Sequence, residues 1–359
     1  MKLYYVTRVN VPSGAAQAVQ VSSMCKQFGE CVENFKLVSP LNSENENLDN
    51  DFSWDKIRLN SKFPYLEFTL KSLLKAIKEK PTHIFTRDIV VAFALSFLGI
   101  QISYEAHKDP KSKVSSFLLK YLLGNNNFKL IVISNGLRDF YIREYHCKED
   151  QIFAYHDGVF IEKYDKYRSI PKQMIRNKLG LPEERIIIMH TGSLYPGRGA
   201  ELFGSIAKGF PQILLVQVGG REGDIEKYRK IYQEYENIVF VKHQKNDDLI
   251  KYQISADLLL FPMTNKTETF WCCSPMKVFE YMATGVPILS SNVGSVSEVL
   301  NDGNSTLFDS KDGNTIVAGV ESFVKDRKNF SKKARVALND VREKYTWSKR
   351  VYAIIRFIE

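Results

Sequence analysis

Residues Thr269–Gly294 read TFWCCSPMKVFEYMATGVPILSSNVG. An irregular loop leads to Ser274-Pro275, a pair that commonly opens a helix, with serine at the N-cap and proline at the first helical position. Gly285 stops that helix, and Val286–Ser290 reads as a buried strand. The first amides of such a helix point at whatever lies before them and attract anions such as phosphate. One turn further in, Glu280 stands in an otherwise apolar run of Val278, Phe279, Tyr281, Met282 and Ala283. Phosphate-seeking amides followed by an acid able to chelate two ribose hydroxyls make a grip for a nucleoside diphosphate. The plain alternative is a capped helix with a half-buried glutamate.

The rest of the second half alternates strands with helices. Ile186–His190, Ile213–Val218, Ile238–Lys242 and Leu258–Phe261 join Val286–Leu289 as predicted strands. The first half repeats the pattern at Leu3–Thr7, Phe35–Val38, His83–Thr86, Ile100–Tyr104, Leu130–Ser134 and Gln151–Tyr155. After its first strand comes the turn Val11-Pro12-Ser13-Gly14, then a helix carrying Ala18, Val21, Cys25 and Phe28 on one face. The alternation predicts an α/β chain of two Rossmann-like domains with parallel sheets covered on both faces. Ligands are then expected at the carboxyl ends of the strands. Residues 1–164 form the first domain and 165–345 the second, with the charged stretch 165–185, containing Pro171 and Pro182, as the connection. Asn42–Asp55 reads as a polar surface loop. Asp49-Asn50-Asp51 inside it therefore does not read as a metal-binding DxD.

The 359 residues allow about two domains. With 44% apolar and 25% charged residues, the composition is that of an ordinary soluble protein. Met1 leads straight into a strand, without the layout of a signal peptide. The longest apolar run, Ile89–Ile100, is too short to span a bilayer and predicts a core helix. Cys25, Cys31, Cys147, Cys272 and Cys273 form no CxxC pair and are odd in number, which argues against a disulfide framework or a metal site. They predict buried free thiols in a reducing cytoplasm. The net charge of +9 is diffuse, and residues 1–165 carry 21 Lys/Arg against 19 Asp/Glu. No base-stacking motif accompanies it, so a nucleic-acid partner is not expected. Anionic phosphate substrates and anionic lipid both suit such a balance.

These residues, taken in order, resemble a family 4 glycosyltransferase, a retaining enzyme of GT-B fold with two facing Rossmann-like domains. The resemblance runs along essentially the whole chain. In the first half it rests on Asn10-Val11-Pro12-Ser13-Gly14, Thr86-Arg87-Asp88, Tyr104-Glu105-Ala106-His107 and His156-Asp157-Gly158-Val159. In the second it rests on Thr191-Gly192-Ser193, Gly197-Arg198-Gly199, Ala256-Asp257-Leu258 and the run Ser274–Ala283. Tyr345-Thr346-Trp347 matches the start of the last helix, which in the family crosses back to the first domain, here as residues 346–359.

The resemblance implies His107, Arg198 and Glu280 as catalytic residues. His107 would orient the donor sugar near its anomeric centre, Arg198 would meet charge developing on the leaving diphosphate, and Glu280 would hold the ribose. Donor binding would also involve Gly14, Ser193, Lys277, Cys272, Cys273, Ser274 and His243. Acceptor binding would involve Ser13, Arg87 and Glu105. Apart from these roles, Arg198 reads as a solvated turn arginine and Lys277 as a partner in a surface ion pair. The chain departs from the family twice. Cys272 stands where a glutamate often contacts the donor sugar, leaving backbone amides around Cys273 and Ser274 to do so. Ser193 replaces an arginine of the phosphate region.

No pair of carboxylates at strand ends suggests a covalent nucleophile. A front-face reaction is therefore expected, in which the departing phosphate takes the acceptor's proton. Neither a metal nor a cofactor is expected beyond the nucleotide-sugar donor. The acceptor implied is a glycan or lipid-linked oligosaccharide of bacterial surface polysaccharide, at the inner face of the cell membrane. Leu66–Lys80 carries Leu66, Leu70, Leu73, Leu74 and Ile77 on one helical face, with Lys71, Lys75 and Lys78 on another. Lys113–Leu123 similarly combines Phe117, Leu118, Tyr121 and Leu122 with two lysines. Each is either a surface helix with its apolar face inward or a basic rim resting on anionic lipid. Two other functions fit the same plan, a sugar-nucleotide epimerase and a non-catalytic sugar-nucleotide-binding subunit. A phosphorylase would need a pyridoxal-phosphate lysine site, which the sequence does not show.

Overall fold

The computed structural model describes residues 1–46 and 52–359. Asp49-Asn50-Asp51 lies outside the described residues. The chain divides into two compact units, one of Met1–Asp157 with Trp347–Glu359, the other of Gly158–Thr346.

The strands of the first unit are β1 (Lys2–Val6), β2 (Asn34–Pro40), β3 (Ser53–Ile57), β4 (His83–Thr86), β5 (Gln101–Ala106), β6 (Phe128–Val132) and β7 (Ile152–Ala154). They form one parallel sheet in the order β3-β2-β1-β4-β5-β6-β7. Its helices are α1 (Ala16–Cys31), α2 (Pro64–Glu79), α3 (Ile89–Ser96), α4 (Lys113–Leu123) and α5 (Asn135–Tyr145), with α14 (Trp347–Ile358) added from the end of the chain. The predicted inner face of α1 is borne out: Ala18, Val21, Cys25 and Phe28 are fully buried. Phe28 stacks on Phe35 of β2 at 5.6 Å between ring centroids.

The second unit holds β8 (Ile187–Thr191), β9 (Leu214–Val218), β10 (Ile238–Val241), β11 (Leu258–Phe261), β12 (Ile288–Ser291) and β13 (Thr306–Phe308). Its sheet is also parallel, in the order β10-β9-β8-β11-β12-β13. The helices are α6 (Ile161–Arg168), α7 (Lys172–Leu179), α8 (Phe203–Gly209), α9 (Glu222–Ile231), α10 (Asn246–Ser255), α11 (Met276–Thr284), α12 (Gly313–Lys325) and α13 (Arg327–Lys344). Both sheets are Rossmann-like, as expected. Strand order reverses between β1 and β4 and between β8 and β11, and open parallel sheets take ligands at such switch points.

Several local expectations are corrected. The stretch 165–185 is not a bare connection but includes all of α7 and the end of α6, and the units divide earlier, at Asp157/Gly158. Tyr164, Tyr167 and Ile175 enter the core of the second unit, which explains the shift. The polar stretch Asn42–Asp55 ends in edge strand β3, where Trp54 Nε1 donates to Ser39 Oγ at 2.8 Å. Pro275, rather than Ser274, takes the N-cap position of α11. Gly285 ends that helix at φ 72°, as predicted. Cys25, Cys147 and Cys272 are buried, whereas Cys273 is partly so and Cys31 is exposed.

Arg176 of α7 anchors this second core. Its Nε donates to the Ser255 carbonyl at 2.9 Å and its Nη2 to Asp257 Oδ2 at 2.7 Å. Burial pushes the Asp257 carboxyl up, but Lys172, the Ile187 amide and Arg176 outweigh it and hold it down. Removing a buried partner strands its counter-charge. Arg176→Met is therefore expected to cost the second unit about 3 kcal/mol, read as a lower urea midpoint. The more exposed Lys172→Met should cost under about 1 kcal/mol.

Candidate functional site

At the β8/β11 switch point the chain leaves β8 through Gly192, Gly197 and Gly199, all at positive φ. Backbone crowds two of them: a Cβ on Gly197 would lie 2.8 Å from Thr267 N, and one on Gly199 would run into the Pro262 carbonyl after β11, whereas one on Gly192 would lie 2.7 Å from the movable Lys277 Nζ. Gly197 O accepts from Thr264 N at 2.9 Å and from Thr267 Oγ1 at 3.0 Å, so the two switch-point loops are tied together.

Lys277, in the first turn of α11, is directed into this place. Its Nζ sits 3.3 Å from His190 Nε2. His190 Nδ1 pairs in turn with Gln217 Oε1 at 2.5 Å, and Gln217 Nε2 donates to the Gly192 carbonyl at 2.8 Å. Burial and the nearby charge of Arg198 push the Lys277 ammonium down to about 7, against a smaller opposing pull from Glu280. Burial and Lys277 likewise drive His190 well below its ordinary value. The arginine is not a solvated turn residue. Its guanidinium lies over the Tyr195 ring at 4.6 Å, and its buried Nε has no hydrogen-bond partner among the described residues. Two cations are thus held near one another with a buried N–H left over, which is a demand for an anion.

Glu280, one turn along α11, accepts from Gln253 Nε2 at 3.2 Å. Burial raises its pKa, with Gln253 and Lys277 opposing. Tyr281, beside it, accepts from the Thr191 amide at 2.9 Å and so locks α11 to the end of β8. Ser274 and Cys272 are buried and Ser193 is exposed. The amides of Cys272 and Cys273 both donate to the Thr269 carbonyl, at 3.1 and 2.9 Å. The Cys273 amide is therefore already engaged within its own loop, contrary to its expected use. His243 is exposed on the loop after β10, the edge strand, with β9 between it and β8.

In the first unit, the β1/β4 switch point borders a pocket of about 380 Å³ whose lining includes Arg8, Arg87, Glu105, His107 and Ser112. Glu105 Oε2 lies 2.9 Å from His107 Nε2. A carboxylate can only accept, so this contact places the ring proton on Nε2. Arg87 Nε approaches the same carboxylate at 3.7 Å, and Arg350 of α14 pairs with its other oxygen. Arg350 also donates to the carbonyls of Tyr155 and His156. Burial pushes the Glu105 carboxyl up, yet Arg350, His107 and Arg87 together hold it well below the usual carboxylate range. Burial and Arg87 lower His107, with Glu105 opposing, so its neutral form is favoured. Ser13 and Gly14 stand on the loop between β1 and α1, where a Cβ on Gly14 would meet nothing within 4 Å. Space alone therefore does not require glycine there.

Sequence reasoning missed Gln217, Gln253, Gln20 and Arg350. Each left a signal. Gln217 interrupts the apolar run of β9, and Arg350 occupies an inward position of α14 beside Trp347, Val351 and Ile354. Gln20, on α1, donates to Asp157 Oδ1 at 2.8 Å and lies 3.4 Å from the His107 ring. Arg350→Met would leave Glu105 buried without its closest cation, at an expected cost of about 3–5 kcal/mol. Denaturant unfolding of the first unit would check it, and Arg350→Lys should recover part of the loss.

Comparison with known proteins places this geometry. Residues 171–337 match the family of glycosyl transferases group 1. The chain is 25% identical over 241 residues to an uncharacterised glycosyltransferase of Methanocaldococcus jannaschii, covering 64% of this chain and 59% of that one. It is 26% identical over 245 residues to a lipopolysaccharide 1,2-N-acetylglucosaminetransferase of Salmonella typhimurium, covering 63% of this chain and 60% of that one. The match thus spans about three fifths of the length of each relative. Among solved structures, HepE of Anabaena in complex with UDP superposes with a TM-score of 0.79 at 13% identity, covering 99% of this chain and all of that one. Residues 171–337 are thus similar to a glycosyl transferases group 1 domain, and the two Rossmann-like units share the GT-B fold of the solved structure.

Proposed function

We propose that this chain is a retaining, metal-independent glycosyltransferase. It would move a sugar from a nucleotide-diphosphate donor to a glycan or lipid-linked acceptor in bacterial surface polysaccharide synthesis, in the cytoplasm at the inner face of the membrane. The observation that carries the reading is the pair of neighbouring cations, Lys277 and the incompletely bonded Arg198, with the acid Glu280 one turn away. A sugar nucleotide supplies the missing anion as its diphosphate, and its ribose hydroxyls suit a carboxylate at the distance of one helical turn. The Salmonella relative is named for lipopolysaccharide, and HepE was solved with UDP. Among the described residues no helix is long and apolar enough to cross a membrane.

In this reaction the bond between the anomeric carbon and the diphosphate oxygen breaks as the acceptor oxygen bonds to the same face of that carbon. The acceptor's proton passes to the departing phosphate. Arg198 and Lys277 stabilise charge that grows on the leaving group, which lowers the barrier more than it aids binding. His107, held neutral and oriented by Glu105, positions the donor sugar, with Arg87 and Ser13 on the acceptor side.

Calorimetry with UDP, GDP, ADP and dTDP, with and without their sugars and in the presence of a chelator, tests this. One nucleotide class should bind selectively. Glu280→Ala should weaken it about tenfold or more, whereas His107→Ala should lower turnover at nearly unchanged nucleotide affinity. Nucleotide binding without donor turnover would instead identify a non-catalytic binding subunit, and loss of turnover with chelator would remove the metal-independent assignment. The Lys277 ammonium carries its charge below its pKa and loses it above. Nucleotide affinity of the wild type should therefore fall as pH rises through about 7, beyond any change shown by Lys277→Met under the same conditions. Identical pH profiles for the two proteins would exclude Lys277 from phosphate binding.

A further inference from the structure

Three neighbouring helices of the first unit leave large apolar side chains in solvent. Phe63, just before α2, and Leu66, Leu70, Leu74 and Ile77 on it are each at least half exposed. Phe68, Thr69, Ser72 and Ala76 are the buried residues of the helix. At 3.6 residues per turn, the leucine stripe lies opposite that buried side. Of the two readings of this helix, the one that turns its leucine face inward is therefore excluded. On α4, Val114, Phe117 and Tyr121 form a second exposed stripe. The Tyr121 ring packs against Phe93 of α3 at 5.1 Å and against the exposed Phe97, just after α3, at 5.7 Å, and α3 contacts both α2 and α4. Apolar surface of this extent marks an interaction site.

The charge around it is equally one-sided. Residues 58–125 carry 11 Lys/Arg against 5 Asp/Glu, an excess of +6, although residues 1–165 as a whole carry only +2. Four of the five acids are neutralised locally: Glu67 pairs with Lys71, Glu79 with Lys36 and Lys75, Asp88 with Arg8, and Glu105 with Arg350. Lys62, Lys78, Lys113 and Lys120 are exposed and pair with no carboxylate among the described residues. Helix α4 follows Ser112, which together with Ser115 lines the His107 pocket, so the patch begins at the lip of that pocket.

We propose that the face made by α2, α3 and α4 docks on a membrane surface containing anionic lipid. Its leucines and aromatic rings enter the headgroup boundary, and its lysines lie at the level of the lipid phosphates. Lysine suits this occupant better than a protein partner, because its long flexible stem keeps the charge in water and it is depleted from the cores of protein interfaces. Leucine and aromatic stripes edged by unpaired lysine are what an interfacial helix presents to anionic lipid. The docking does not depend on the transfer reaction and can be tested without donor or acceptor.

The test is flotation of the full-length protein with vesicles of phosphatidylcholine, with or without phosphatidylglycerol. The protein should float with the anionic vesicles, less so as salt is raised, and little with the neutral ones. Leu70→Ser with Leu74→Ser should weaken binding about tenfold at an unchanged circular dichroism spectrum, since both positions are exposed. Lys113→Glu with Lys120→Glu should lower affinity for anionic vesicles about tenfold and leave weak binding to neutral ones unchanged. Absence of flotation, or equal binding to both vesicles, would overturn the proposal. So would sedimentation showing a dimer that the leucine substitutions dissociate, because the face would then be covered by a second copy.

Discussion

The Arg350 side chain has no accessible surface and ties the last helix of the chain to the first sheet. It holds one oxygen of Glu105 and the carbonyls that follow β7. A charge buried to this degree is tolerable only when its partners are in place, so the pair specifies where α14 docks. The same carboxylate, through its other oxygen, sets the proton position of His107. One ion pair thus serves both the closure of the first unit and the geometry of its candidate site. Substitution of Arg350 would not be felt as a local loss of stability alone, because the orientation of His107 depends on the charge Arg350 compensates.

The second unit uses the opposite arrangement. Lys277 and Arg198 are brought together instead of being paired off, and the glycine at 192 allows Lys277 to approach the backbone that follows β8. A group kept at a lowered pKa by burial and a like charge is strained in the absence of an anion and relieved by its arrival. Supporting residues keep the arrangement from relaxing. Gln217 holds both His190 and the Gly192 carbonyl, and Tyr281 holds the end of β8. The site is therefore positioned by strand ends and helix packing, with its two switch-point loops tied together at Gly197.

Burial in the first unit separates two kinds of amphipathic helix. On α1 the apolar side chains face inward, whereas α2 buries Phe68, Thr69, Ser72 and Ala76 and leaves Leu66, Leu70, Leu74 and Ile77 in solvent. Its exposed leucines contribute nothing to the core, so their cost in solvent is justified only by a surface they meet.

The sequence by itself determined the alternation of strands and helices, the two parallel sheets, the glycine stop of α11 and the inner face of α1. These follow from local periodicity, turn chemistry and the uniform apolarity of strands buried on both faces. It also singled out Glu280, Lys277 and His107 as residues at strand ends or helix starts. Tertiary structure decided what periodicity cannot express. Periodicity marks two faces of α2 but not which of them is buried, and the stretch 165–185 became helical structure in a core because Tyr164, Tyr167 and Ile175 had a surface to bury against. The like-charge approach of Lys277 and Arg198 and the long-range pairing of Arg350 with Glu105 join residues far apart in the chain. Their energies arise only once folding has removed water from between them.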